Sequence, residues 1–290
     1  MLFSAILTGL VLGGTYALVA MGLTLQYGVA RIMNLAYGDV IIAASFGAFV
    51  LFTALGVNPL LGMLLVIPAG FALYWLIYAV MLQPLARRSR DRGRLEGDSI
   101  LATFGLLFVI QGVALVIFGA GFQSYSFLAV PVDVLGTTIA ANRLLAFALA
   151  LVFGLGLWLM LTRTRFGTVI RAVAANPASA PLVGIDVDSV ARFAFALGGA
   201  LAAAGGVVVS MYLTFSATMG VIFTMKALIV VIMGGVGNLI GALAAGLILG
   251  LVETLVASFI DPGLTLAATY LIFLAVLVVR PQGLFGKAAR

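Results

Sequence analysis

The chain has 290 residues, of which 64% are hydrophobic and 8% charged, with a formal net charge of +6. A soluble domain carries about 25% charged residues, so this chain cannot cover a water-facing surface and reads as a membrane protein. It has no cysteine and no histidine, which excludes a disulfide framework, a thiolate nucleophile or metal site, and imidazole proton transfer near neutral pH. The basic residues cluster between apolar runs, so the positive charge reports membrane topology and not nucleic-acid binding.

Runs of about 20 apolar residues cross hydrocarbon as helices, because backbone groups in lipid must be satisfied internally. No period-two alternation points to a barrel. In chain order the expected spans are 4–26, 37–56, 60–83, 99–119, 142–162, 190–213, 221–233, 237–258 and 264–281. The first run is too long for a signal-peptide core and lacks a basic start, so no cleavable signal is expected. Arg87, Arg88, Arg90, Arg92 and Arg94 place the loop after the third span in the cytoplasm; Arg163, Arg165 and Arg171 do the same for the loop after the fifth. Arg280, Lys287 and Arg290 place the C-terminus there, while 120–141 has no Lys or Arg and is expected outside. Nine crossings then put the N-terminus outside. The run 221–233 is short for a full span, and the rival reading, a half-helix or re-entrant element, would leave eight. Residues 1–290 therefore form a single transmembrane domain of the all-α class, a polytopic helical bundle of about eight or nine segments with one or more broken. No loop is long enough for a nucleotide fold, and no G-x-x-x-x-G-K-[ST] phosphate loop occurs.

Four features interrupt the apolar pattern. The stretch Gln26 to Asp39 places Arg31, Asn34 and Asp39 between two spans, either as a cytoplasmic turn anchored by Arg31 or as an irregular segment near a pathway or inner gate. Gly234, Gly235, Gly237 and Asn238 would break a helix; such breaks line a cavity or form a plain interhelical turn. Gly9/Gly13, Gly237/Gly241 and Gly246/Gly250 are small-xxx-small spacings that let helices approach closely. Glu253 lies deep in an apolar run, where a carboxylate needs a partner, and Lys226 in the preceding run is the candidate. One isolated carboxylate is no proton relay, which disfavours a proton-coupled carrier. A membrane enzyme would need a nucleophile with its base or a metal cluster, and neither is found.

The fourth interruption, 163–188, is long, polar and basic. Arg163 and Arg165 would snorkel to the membrane surface. Residues 167–175 suit a helical turn or two, and Asn176-Pro177 would open a second short helix, as N-cap and first helical residue, ending at Gly184. Two short surface helices make a docking platform, or a structured but passive loop.

Over essentially its whole length the chain resembles the permease subunits of branched-chain amino-acid ABC importers, most closely the shorter of the two homologous permeases. The resemblance is carried by Tyr27-Gly28 and Met33 to Asp39; by Gly167 to Ala172 with Asn176, Ala180 and Gly184-Ile185; by Met225 to Ala227; by Gly234 to Asn238 with Gly241-Ala242; by Gly250 to Glu253; and by Arg280 to Gly286. Many relatives carry His-Gly-Glu where this chain has Tyr37-Gly38-Asp39. The resemblance implies a transport subunit with no catalytic residues, no metal and no cofactor of its own, ATP and Mg being bound on partner subunits. It implies a bacterial inner-membrane protein whose partners are cytoplasmic ATP-binding subunits, a second homologous permease or a second copy of itself, a substrate-binding protein, membrane lipid and an amino-acid substrate. Arg165, Gly167, Arg171, Ala172, Asn176, Ala180, Gly184 and Ile185 would form the ATPase coupling loop. Asn34, Asp39, Gly234, Gly235, Gly237, Asn238 and Glu253 are the pathway or gate candidates. Relatives of this fold also carry other amino acids, urea or short amides, so a permease for such solutes is the alternative. An ion-coupled secondary carrier is the rival from outside the family.

Overall fold

The computed structural model describes residues 2–89, 92–134 and 136–286, without the side chain of Arg92. Arg90, Lys287 and Arg290, used above to orient the chain, lie outside the described residues. Helices α1 (Leu2–Ala30) and α2 (Tyr37–Leu55) are followed by α3 (Pro59–Ile77), which passes through one π-helical turn at Tyr78–Leu82 into α4 (Gln83–Arg88). Then come α5 (Arg92–Phe118), a small antiparallel hairpin of β1 (Pro131–Val134) and β2 (Thr137–Ala140), α6 (Ala141–Arg163) and α7 (Arg165–Ala175). Helices α8 (Val187–Ser210), α9 (Gly220–Gly234), α10 (Leu239–Phe259) and α11 (Thr265–Val279) complete the bundle. Eight of the described helical segments are long and apolar enough to cross a membrane, with α3–α4 counted as one. The protein is a multi-pass helical membrane protein.

Most of the expected polar break at 87–98 is helical, since α4 runs to Arg88 and α5 starts at Arg92. Hydropathy detects only the part of a helix that sits in lipid. Arg, Leu and Glu are good helix formers, so the helices project beyond the apolar layer. The hairpin was not expected either; Gly136, at φ 82°, makes its turn.

The bundle has two distinct ends. One carries Arg31, α4, the 164–186 loop and Arg280 and is called here the basic end. The other carries the β-hairpin. Helices α1 and α10 run antiparallel between them with their backbones in contact. A Cβ at Gly13 would sit 2.8 Å from Leu247 Cα, one at Gly246 would sit 2.6 Å from Ala17 N, and one at Gly250 would overlap Gly13. Two of the three small-xxx-small pairs thus face one another, which is how membrane helices gain close dispersion contact without a hydrophobic driving force. Helix α8, rich in Ala and Gly, is the most enclosed and packs on α1, α2 and α3. Helices α5 and α11 lie at the periphery with Phe108, Val116, Leu271 and Val278 outward.

Two passes are broken. After α1 the chain turns at Arg31 and re-enters the bundle as non-helical residues 31–36, with Ile32, Asn34 and Ala36 buried. Helix α2 begins only at mid-depth, where Tyr37 Oη donates to the carbonyl of Val19, inside α1. The second break is 211–219, which descends from the hairpin end, where Phe215 pairs with Gln123, to the start of α9. Fifteen residues of α9 reach about 22 Å at 1.5 Å per residue, short of the ~30 Å hydrocarbon core. The expected span 221–233 is therefore a half-helix, completed as a pass by the irregular segment before it.

Gly250→Leu should collapse the α1–α10 contact, since overpacking costs about 1–3 kcal/mol or more. Gly105→Leu on α5, where a Cβ meets nothing within 4 Å, should be neutral. Thermal unfolding in detergent with size-exclusion monodispersity reads the difference; equal melting of the two variants would refute the packing role.

Candidate functional site

The two broken passes meet at mid-depth. Backbone groups without helical partners cannot be left bare in an apolar interior, and here side chains supply the partners. Leu35 N–H donates to Thr103 Oγ1 at 3.1 Å, and Ala36 N–H to Asn34 Oδ1 at 3.1 Å. Thr103 Oγ1 donates toward the Met33 carbonyl and Thr224 Oγ1 toward the Leu35 carbonyl, at 3.1 and 3.0 Å. Gly38 N–H donates to Thr224 Oγ1 at 2.8 Å. The Asn34 amide donates at 3.1 Å to both Gln26 Oε1 and Tyr74 Oη, and Gln26 donates to the Phe195 carbonyl at 3.0 Å. Asn34 is thus the knot joining α1, α3 and α8 to the re-entrant segment. Tyr37 spends its hydroxyl on backbone carbonyls of α1 and α8.

Asp39 occupies the first turn of α2 and packs against Gly220, the first residue of α9. It is 2% exposed, and neither carboxylate oxygen has a hydrogen-bond partner among the described residues. The positive ends of two helix dipoles converge there, which favours a negative charge. A Cβ at Gly38 would overlap the Gly220 carbonyl, so the two helix starts touch through glycine.

Glu253 and Lys226 are brought together elsewhere in the bundle. Lys226 Nζ donates to Glu253 Oε1 at 2.5 Å and to Tyr16 Oη at 2.6 Å, and lies 4.7 Å from the Tyr16 ring centroid. Gly234, Gly235, Gly237 and Asn238 form the turn between α9 and α10 at the basic end. Asn238 Oδ1 caps α10 by accepting from Gly241 N–H at 3.0 Å. Its amide donates to the Phe285 carbonyl at 2.9 Å, and Leu284 N–H donates to the Met233 carbonyl at 2.8 Å. The segment 281–286 therefore clamps the turn. Gly235, at φ 100°, needs glycine both for its backbone and for the approach of Gly286.

The loop at the basic end is built on α7, a three-turn helix where one or two turns were expected. Thr164 caps it by accepting from Gly167 N–H at 3.0 Å. Gly167, Ile170 and Val173 face the bundle, whereas Arg165, Thr168 and Arg171 face outward. Asn176 ends α7 and does not open a second α-helix: its Oδ1 accepts from Ala178 and Ser179 N–H, and the chain continues as a 3-10 turn, Ala180–Val183. The two residues between Pro177 and Ala180 are too few to start an α-helix before Ala180 is drawn inward. Gly184, at φ 77°, closes that turn. Asp188 braces the loop against α4 through Arg87 at 2.9 Å and Gln83 at 3.3 Å. The Ser189 hydroxyl and neighbouring N–H groups hold the Asp186 carboxyl below its usual range.

Sequence reasoning missed the tip of this loop. Leu182 is 86% exposed and Val183 74% exposed, beside Gly184, where a Cβ would meet open space. The braced polar loop thus carries an exposed aliphatic tip. In sequence they are masked as two more apolar residues; only the 3-10 turn aims them away. Gln26, Tyr74, Thr103 and Thr224 were also missed, although a polar residue within an apolar run is the signal that finds them.

Residues 5–280 match the family described as branched-chain amino acid transport system / permease component. The chain belongs to this permease family. It is similar to the high-affinity branched-chain amino acid transport system permease protein BraD of Pseudomonas aeruginosa, 27% identical over 97% of this chain and 95% of that protein. It is similar to LivH of Escherichia coli K12, a permease protein of the same description, 28% identical over 96% of this chain and 94% of that protein. Among solved structures, PsaBC from Streptococcus pneumoniae in complex with Fab superposes with a TM-score of 0.52 at 13% identity, over 97% of this chain and 92% of that one; this likeness is one of fold. The fold and the permease assignment expected from sequence stand.

Removing one partner of an enclosed ion pair leaves an uncompensated charge, at a cost of about 3–5 kcal/mol. Lys226→Met alone should therefore lower stability by about 3 kcal/mol, and Lys226→Met with Glu253→Gln should recover at least half of it. Denaturation of the purified chain measures both; full additivity would refute the pairing. Asn34→Ala should destabilise by about 2 kcal/mol or more, because Ala36 N–H, Gln26 and Tyr74 lose their common partner.

Proposed function

We propose that this permease forms one half of the membrane pathway of an ATP-driven importer for branched-chain or other hydrophobic amino acids. The pathway is shared with a second homologous permease or a second copy of this chain. A binding protein delivers the amino acid at the hairpin end, and ATP-binding subunits, which hold ATP and Mg, dock at the basic end. This chain is a transport subunit of the bacterial inner membrane with its C-terminus in the cytoplasm. The basic residues Arg87, Arg88, Arg163 and Arg171 support that orientation.

The observation that carries the reading is the braced loop at the basic end with Leu182 and Val183 at its tip. Arg165, Gly167, Arg171, Ala172, Asn176, Ala180, Gly184 and Ile185 shape it. The loop leads directly into α8, whose Phe195 and Gly198 carbonyls accept from Gln26 and Tyr37 at mid-depth. A push on the loop is thus delivered to the junction of the broken passes. Asn34 and Asp39 there, with Gly234, Gly235, Gly237 and Asn238 at the far end of α9, are the hinge points at which α9 would shift to open the inner side. Such rigid-body switching is a standard transport transition. Glu253 holds α9 to α10 through Lys226 during that movement.

Leu182→Asp should leave insertion and thermal stability unchanged, because the side chain touches nothing the fold needs. It should reduce co-purification of the ATP-binding subunit by roughly ten-fold, the scale expected for losing about 1.4 kcal/mol or more at an anchor residue. Gly184→Val should do the same by straining the turn. Wild-type assembly and wild-type amino-acid uptake in both variants would overturn the coupling assignment. Gradient-driven uptake by the chain alone in vesicles would overturn the importer reading.

A further inference from the structure

A cleft of about 550 Å³ lies at the basic end among α1, α6, α7, the α9–α10 turn and the C-terminal segment. Its rim is polar and cationic: Arg31, Arg171, Thr162 and Asn238 border it. Among the described residues neither guanidinium has a carboxylate within ion-pair distance. The start of α10 adds the positive end of a 21-residue helix. Trp158, Leu239 and Ile240 are shared with a second cleft of about 430 Å³, lined by Met21, Leu151, Leu155 and Leu243. That cleft runs along the membrane-facing side of the bundle, because α6 and α10 both pack on α1 but scarcely on each other. Leu151, Leu155 and Ile240 are open to the outside.

Arg31 adds a second, independent observation. Its backbone is left-handed, at φ 56°, where it ends α1 by donating to the Tyr27 carbonyl at 3.1 Å. Glycine takes that conformation freely, whereas other residues pay about 1 kcal/mol or more. An arginine thus holds a backbone conformation that glycine takes more readily, and it borders the cleft with its cation.

We infer that this composite cleft binds an anionic phospholipid, with the phosphate headgroup at the Arg31–Arg171 rim and an acyl chain in the apolar groove between α6 and α10. The cationic rim at an interfacial tryptophan, joined to an apolar trough entering the bilayer depth, matches an amphiphile with a negative head.

The test uses the full-length chain in zwitterionic detergent, with phosphatidylglycerol, phosphatidylcholine or inorganic phosphate added. Native mass spectrometry counts bound lipid and thermal unfolding reads stabilisation. Phosphatidylglycerol should be retained and should raise the melting temperature, and the other two should not. Arg31→Gly with Arg171→Gln should lower the preference for phosphatidylglycerol over phosphatidylcholine by roughly ten-fold or more, as expected for two interfacial charges. Arg31→Gly keeps the turn, because glycine adopts its φ; Arg171→Gln alone, on an exposed residue, should still give a several-fold loss. Gly154→Phe, which fills the apolar groove, should reduce retention with both arginines intact. Unchanged selectivity in the charge variants would overturn the proposal, as would equal retention of the two lipids. Stabilisation by inorganic phosphate that survives Gly154→Phe would show a free-anion site instead. Exclusion of phosphatidylglycerol once partner subunits are bound would show a protein interface.

Discussion

Everything in this bundle depends on satisfying broken backbone inside an apolar interior. A continuous membrane helix needs nothing from its neighbours for its N–H and C=O groups, but residues 31–36 and 211–219 do. At the first break, Asn34, Thr103 and Thr224 act as surrogate backbone, each holding two or more groups. These few hydrogen bonds fix α1, α2, α3, α5, α8 and α9 to one point at mid-depth. They replace the hydrophobic effect, which is weak as a helix-to-helix force in lipid.

Glycine does the complementary work. Where α1 meets α10, no side chain separates the backbones. Contacts of this kind leave little room for sliding, so α1 and α10 act as one unit. The start of α9 is different. Asp39 beside it has no hydrogen-bond partner among the described residues, so a displacement of α9 breaks no bond to that carboxylate. A rigid α1–α10 seam and one junction that holds an unpartnered carboxylate are a reasonable division for a protein proposed to switch between two arrangements.

Charge is placed with similar economy. Inside the bundle Lys226 and Glu253 neutralise one another, and the Tyr16 hydroxyl accepts a further hydrogen bond from Lys226. At the basic end Asp188 braces the 164–186 loop against α4 while Arg31 and Arg171 are left facing a cleft. The paired cations Arg87 and Lys226 tie elements together, whereas Arg31 and Arg171, with no carboxylate within ion-pair distance among the described residues, border the cleft.

Composition and the spacing of apolar runs by themselves determined an all-helical, multi-pass protein, its basic and non-basic loops, and the stretches Gln26 to Asp39, 163–188 and 234–238 as special. They did so because lipid solvation is a property of a local window of side chains. The Glu253–Lys226 pair was legible for the same reason: two charges in adjacent apolar runs have few places to go. Only the tertiary structure decided that α9 is a half-helix, that Asn34 ties a knot within the fold, that Asn176 ends one helix without starting another, and that Leu182 and Val183 point outward. Each of these depends on which groups, distant in sequence, arrive at the same depth to satisfy a backbone group or leave a side chain uncovered. No local window contains that information.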